Sequence, residues 1–306
     1  MNILCLGDFH LTSDRPVNRV DDWWGTVKGK LQFVLDTAKQ VKASVIIAPG
    51  DFTDSPSLPY STYSSILSIL QDYLNPNLIM LSCFGQHDMR YRTKENSALR
   101  ALETALTPDF QIIEANEEIC IDNTLFYGTS YGEEVQDFSE DTRFKVMIVH
   151  KMIIEEKLWS TQTGYETSTV FIRRHPYNLI VCGDNHQPFT AETKGGRVLI
   201  NCGAMLRNSI DLIDHKPFVV LFDTNTKKYE KIYIPIKEGT EVFQMDTIEK
   251  TKERDKNLET FILGLSENKS TDLTFEDNLR QYIEENKVDS AVSTIIFDSM
   301  RNKKES

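Results

Sequence analysis

The chain has 306 residues, 40% of them hydrophobic and 26% charged, with a formal net charge of -12. That apolar content excludes a disordered chain, and no apolar run approaches the ~20 residues needed to cross a bilayer. The acidic balance excludes broad, non-specific adhesion to nucleic acid, yet it permits a nucleic-acid substrate held through bound cations or a basic partner.

The opening MNILCLGDFH reads as a first core strand and not as a signal peptide, because it lacks a basic start and reaches charge within eight positions. Strands are expected over residues 2–6, 45–48, 78–84, 124–127, 145–149, 179–182 and 198–201. Between the first two, residues 30–41 show helical spacing through Leu31, Val34, Leu35 and Ala38. A second helix over about 60–74 follows the turn at Pro56–Pro59, and a third spans about 96–106. Residues 218–222 and 229–236 read as a hairpin joined by the turn-rich 223–228. This order predicts an α/β fold, a layered mixed β-sheet sandwich flanked by helices. Beyond Lys237 the composition changes. Residues 238–257 are dense in charge and read as a linker or exposed helix, and helical stripes follow over 258–265, 278–286 and 288–300. The reading is therefore a catalytic domain over residues 1–240 and a charged linker with a small helical C-terminal region over 241–306. Five cysteines, odd in number and without a CxxC pair, read as buried reduced thiols.

Potential metal ligands recur where strands run out into loops: Asp8 and His10, then Asp51 with Asp54 three residues on, then Gln86, His87 and Asp88, then His150, then Asp184 and His186. In open α/β sheets that edge is where ligands bind. In an extended Asp-x-His the two side chains share one side, so Asp8 with His10, and Asp184 with His186, are each expected to chelate an ion. A single Asp-x-His is common and structural, but four of only six histidines follow apolar strands in this way. His175 and His215 lack that context and read as surface or structural. Carboxylate and imidazole donors together suit Mn, Fe, Zn or Co, and the absence of a cysteine points away from a structural zinc site. Two such ions would activate water and neutralise phosphate charge in an in-line attack on a phosphoester.

These residues, in order, resemble the signature of the calcineurin-like metallophosphoesterases: Asp8-Phe9-His10, Gly50-Asp51-Phe52-Thr53-Asp54, Gly85-Gln86-His87-Asp88, His150 and Gly183-Asp184-Asn185-His186. A narrower resemblance runs through His10-Leu11, Arg19, Asp22 and Val198–Ala204 to SbcD, the nuclease subunit of the bacterial double-strand-break repair complex, and the short length resembles phage versions. The resemblance implies Asp8, His10, Asp51 and His186 at a first metal, Asp51 as bridge, and Gln86, His150 and Asp184 at a second. It implies His87 beside the leaving group, with Asp88 free to orient the imidazole. The function implied is a two-metal DNA nuclease, an exonuclease of DNA repair, recombination or replication. It would use Mn (or Mg, Fe or Zn), pair with an SbcC-type ATPase, form a homodimer, touch no membrane and reside in the cytoplasm. A nucleotide or small-molecule phosphodiesterase, and a catalytically silent DNA-binding subunit, are the alternatives. Gln86 stands where the family has asparagine, and Asp184 where it has histidine. Both belong to the second metal, which Asp184 would bias towards Mn or Mg. Arg92, Arg173 and Arg174 are candidate phosphate contacts. Trp23 and Trp24, placed in a loop before the first helix, are candidates for base stacking, partner docking or a hydrophobic cap.

Overall fold

A computed structural model describes residues 1–135, 142–157, 163–244, 280 and 283. The chain divides into two units, Met1–Phe243 and Gln244–Ser306. The expected helices at 258–265 and 288–300, all of 278–286 except the helical residues 280 and 283, and most of the charged linker lie outside the described residues. Among the described residues no helix is long and apolar enough to cross a membrane.

In chain order the first unit contains β1 (Asn2–Cys5), α1 (Trp23–Gln40), β2 (Val45–Ala48), α2 (Tyr60–Tyr73), β3 (Ile79–Ser82), α3 (Ala98–Leu106), β4 (Phe110–Ile112), β5 (Glu118–Ile121), β6 (Thr124–Thr129) and β7 (Phe144–His150). There follow β8 (Ile153–Ile154), β9 (Glu166–Thr167), α4 (Ser168–Arg174), β10 (Leu179–Gly183), β11 (Phe189–Glu192), β12 (Val198–Asn201), β13 (Phe218–Asp223), β14 (Tyr229–Tyr233) and the short α5 (Gly239–Val242). Two six-stranded sheets result, ordered β14-β13-β1-β2-β3-β4 and β11-β12-β10-β7-β6-β5, and β8 pairs separately with β9. Both are mixed: β1, β2, β3 and β4 run parallel, as do β6, β7, β10 and β12, while β13, β14, β11 and β5 join antiparallel.

Strand alternation explains the layering. Ile3, Cys5, Val45 and Ile47 face an inner core shared with Val146, Ile148, Leu179 and Val181 of the second sheet. Leu4, Leu6, Ile46 and Ala48 face the opposite way, onto Val27, Leu31, Val34 and Leu35 of α1 and Ile66 and Leu70 of α2. On the second sheet, Met147, Val149, Ile180 and Cys182 pack against Phe171 and Ile172 of α4. Successive strand residues thus alternate between the inter-sheet core and a helical layer, giving the expected α/β sandwich.

Two expectations need correction. The first helix begins at Trp23, seven residues before the expected start, because the Asp22 carboxylate accepts a hydrogen bond from the Gly25 amide and caps it. Trp23 is therefore inside the helix, 2% exposed, and its Nε1 donates to the Thr12 carbonyl at 3.1 Å, so it cannot stack on a base. The partly buried Trp24 packs on the same core. Of the cysteines, Cys5, Cys83, Cys182 and Cys202 are buried free thiols, but Cys120 is exposed on β5.

Candidate metal centre

The C-terminal ends of β1, β2 and β3 in one sheet meet those of β7 and β10 in the other. In register, His150 at the end of β7 lies opposite Gly183 at the end of β10. The chain turns sharply where it leaves these strands. His10, Asp51 and Asp184 all adopt left-handed backbone conformations, with φ of 51°, 45° and 85°. Such conformations in residues other than glycine carry strain and concentrate at functional sites. Gly50, with φ 90°, has no room for a side chain, since a Cβ there would lie 2.5 Å from His150 Nδ1.

The left-handed turns change the expected chelation. Asp8 and His10 do converge, but with His186 as the third member of their group. His10 Nε2 and His186 Nε2 lie 3.2 Å apart, and His186 Nε2 is 3.6 Å from Asp8 Oδ2. Asp184 does not join His186. At φ 85° its carboxylate turns instead to the Gln86 Nε2, which donates to Oδ1 at 3.0 Å. The expectation that Asp184 and His186 chelate one ion is thereby corrected. Gln86 Oε1 faces His150 Nε2 at 3.0 Å, so Gln86 and Asp184, the two departures from the family pattern, are bonded to each other.

Asp51 stands between the two groups. Its Oδ1 accepts from the His87 backbone amide at 2.8 Å, whereas Oδ2 lies 3.7 Å from His10 Nε2 and 3.4 Å from His150 Nε2. Asp51 Oδ2 and Asp8 Oδ1 are buried without a hydrogen-bond partner among the described residues. A buried carboxylate oxygen left bare in this way costs free energy unless a cation completes it. His150 Nδ1 lies 2.7 Å from the Pro49 carbonyl, the arrangement that directs the other ring nitrogen towards a metal. The residues present therefore fit divalent metal binding.

Burial and mutual contacts shift the titrating groups of this cluster. Burial pushes Asp8 up to about 7, against the pull of His150 and His10. Burial would lower His150, but the Asp51 contact and the Asp8 charge outweigh it and raise it to about 10. Burial would likewise raise Asp51, yet His150 and His10 leave it below its ordinary value. Burial and then the neighbouring His10 press His186 down to about 4, leaving its ring neutral at physiological pH. Asp8, raised from 3.8 to about 7, gives the metal-free chain stability that is present below its unfolded value and lost as pH rises through 7. Cation binding needs the ionised carboxylate and an unprotonated His150 Nε2. Apparent affinity for Mn is therefore expected to rise by about tenfold or more per pH unit between about 5 and 7, read by Mn titration across that range. A flat profile would contradict the assignment of both Asp8 and His150 as ligands.

His87 is 45% exposed in its side chain, and its Nδ1 faces the Asp54 carbonyl at 3.1 Å. It also lies within reach of His10 and Asp51. Asp88 does not orient it. Wholly buried, Asp88 accepts from Thr53 N and Thr53 Oγ1 at 2.9 and 2.8 Å and from Gly85 N at 3.0 Å, tying two ligand loops together. Burial and the nearby Asp51 raise it to about 6. The orienting role passes to Asp54, whose Oδ1 also lies 3.2 Å from His10 Nδ1. Sequence reasoning quoted Asp54 in a motif but gave it no role.

Among the candidate phosphate contacts, Arg92 sits exposed in the turn after the third motif, at φ 62°. Arg173 and Arg174 are exposed at the end of α4, and Arg174 pairs with Glu166 at 2.9 Å. Glu166 also pairs with Lys151, the residue after His150. Lys151 and Tyr131 line a cavity of about 530 Å³ that includes His150 and Asp184, and the Tyr131 and His150 rings meet edge to face at 6.2 Å. Neither residue carried a sequence signal, because Tyr131 follows β6 through a turn that periodicity does not mark.

A family model described as calcineurin-like phosphoesterase matches residues 1–188. Solved structures similar to the chain include a novel archaeal phosphodiesterase, at 15% identity and a TM-score of 0.42, covering 76% of this chain and 100% of that one. Another is wild-type Vps29 complexed with zinc from Entamoeba histolytica, at 14% identity and a TM-score of 0.34, covering 76% of this chain and 99% of that one. No curated protein matches the chain.

Proposed function

This chain belongs to the calcineurin-like phosphoesterase family, and from that premise we propose that it is a metal-dependent DNA nuclease, SbcD-like, working with an ATPase partner and as a homodimer. The observation that carries the hydrolytic part is the placement of Asp51 Oδ2. It is bare and buried, with His10 Nε2 on one side and His150 Nε2 on the other. Asp8, His10 and His186 would hold one ion, His150, Gln86 and Asp184 the other, and Asp51 both. When bound, the ions supply charge neutralisation at the phosphate and an activated water.

The chain's own residues do the rest. Asp54 fixes the His10 and His87 rings, so that His87, half exposed at the mouth of the site, meets the leaving oxygen and delivers a proton to it. Asp88 holds the Thr53 and Gly85 amides, and through them the loops that present Asp51 and Gln86. The Gln86 to Asp184 hydrogen bond supports a second site built from oxygen donors and one imidazole, which favours Mn or Mg over Zn. Choice of DNA over smaller phosphodiesters rests on the resemblance of His10-Leu11, Arg19, Asp22, Gly50–Asp54 and Val198–Ala204 to SbcD. The partner and dimer readings draw on that same resemblance.

One experiment compares Mn-supported turnover of linear DNA and of bis(p-nitrophenyl) phosphate. DNA turned over with the larger kcat/KM is the expected result. Turnover of the small diester with DNA untouched, even with an ATPase subunit added, would replace the nuclease reading with that of a small-molecule phosphodiesterase.

A further inference from the structure

Away from the metal centre, α1 and the segment after β14 enclose a cavity of about 370 Å³ lined by Arg19, Lys30, Arg207 and Lys237, with Asp21 as its carboxylate. Three of these cations are buried: Arg19 and Arg207 at 3% exposure and Lys30 at 7%. Asp21 is already committed, accepting from Arg19 Nε at 2.8 Å and Nη2 at 2.7 Å. Lys30 and Arg207 have no such partner. Lys30 Nζ donates to the Met205 carbonyl at 2.9 Å, and Arg207 Nη1 and Nη2 donate to the Ile213 and Lys237 carbonyls at 2.8 and 2.6 Å. Neither pairs with a carboxylate among the described residues. Asp214 and Glu238 line only the adjoining hollow and are exposed.

Arg207 Nε is buried with no hydrogen-bond partner among the described residues. Lys30 and Arg207 are hydrogen-bonded only to carbonyl oxygens among the described residues, and Asp21, the one carboxylate lining the cavity, already serves Arg19, so the cluster keeps an excess of positive charge that an anion completes. Burial and then the neighbouring Arg207 and Arg19 lower Lys30 to about 7, the response of an ammonium crowded by like charge. Gly29 of α1 lies exposed on the rim of the cavity, and a Cβ added there would meet nothing within 4 Å. Phe33 and Ile234 supply an apolar wall beside the cations.

We propose that this cavity binds a phosphate group, free or as the phosphate of a small monoester, between Lys30 and Arg207, at a site separate from the metal centre. The test uses the full chain treated with a chelator, so that phosphate cannot report on bound metal, titrated calorimetrically with inorganic phosphate and, in a second arm, with AMP. Wild type is expected to bind at least one of them. Tighter binding of AMP assigns a nucleoside phosphate, and equal binding assigns the free anion. Lys30→Met is expected to weaken binding by about tenfold, the loss of one charge-assisted hydrogen bond. Gly29→Leu, which fills the cavity at a position with open space, is expected to abolish binding while leaving Mn-dependent hydrolysis and the melting temperature unimpaired. Absence of binding by wild type, or equal binding by wild type and Gly29→Leu, would overturn the proposal. That failure would leave the nuclease reading untouched, since neither residue belongs to the metal centre.

Discussion

Asp51→Asn is expected to lower Mn-dependent phosphodiester hydrolysis by about 10²–10³-fold, the order that one preorganised group stabilising charge at a reacting centre is worth. The argument rests on where the carboxylate stands. Asp51 is 1% exposed, with its Oδ1 already engaged by the His87 amide. Only Oδ2 is free to serve a cation, and it is the atom lying between His10 and His150. With its oxygen kept on the His87 amide, asparagine would replace the metal-facing oxygen by an N–H donor set against two imidazoles. Metal content should fall at both positions. The fold should survive, since asparagine keeps the shape and the contact with the His87 amide. Unchanged metal content with unchanged activity would remove Asp51 from the bridging position.

His87→Ala should behave differently. Proton delivery by a positioned imidazole contributes about 10²–10⁴-fold, so a loss of that order is expected in kcat with metal content retained. His87 is the most exposed of the histidines at the site, held through Nδ1 by Asp54 and packed edge to face on His10 at 4.7 Å. Its removal leaves Asp8, His10, Asp51 and His186 in place. The leaving group provides a further check. A diester with a good leaving group needs little protonation, so the defect should shrink on bis(p-nitrophenyl) phosphate relative to DNA. Loss of metal from this variant would instead make His87 a ligand, as its proximity to His10 and Asp51 allows.

Much of this site could be read from the sequence because ligand types sit at strand ends, and strand ends are where short runs such as 45–48 and 198–201 stop being apolar. What could not be read depends on backbone angles and on contacts between distant segments. Nothing in Asp184-Asn185-His186 announces φ 85° at Asp184, which separates two side chains that an extended strand would have aligned. The bond from Gln86 to Asp184 joins residues 98 positions apart, so their departures from the family pattern could be paired by role but not by touch. The start of α1 was hidden for a local reason. Gly25, Gly29 and two tryptophans dilute the helical period that becomes clear only at Leu31, while the Asp22 cap acts through a hydrogen bond. Of the missed elements, α4 has seven residues and no side-chain cap, and β5 alternates between exposed and half-buried positions. Each is too short or too solvated to leave an apolar signature.

The most direct measurement is manganese stoichiometry with electron paramagnetic resonance on the full chain. Two Mn per chain with the spectrum of an exchange-coupled pair, reduced to uncoupled or absent Mn by Asp51→Asn, is the expected result. A single uncoupled ion in the wild type, unaffected by Asp51→Asn, would contradict the two-metal centre on which the proposed hydrolysis depends.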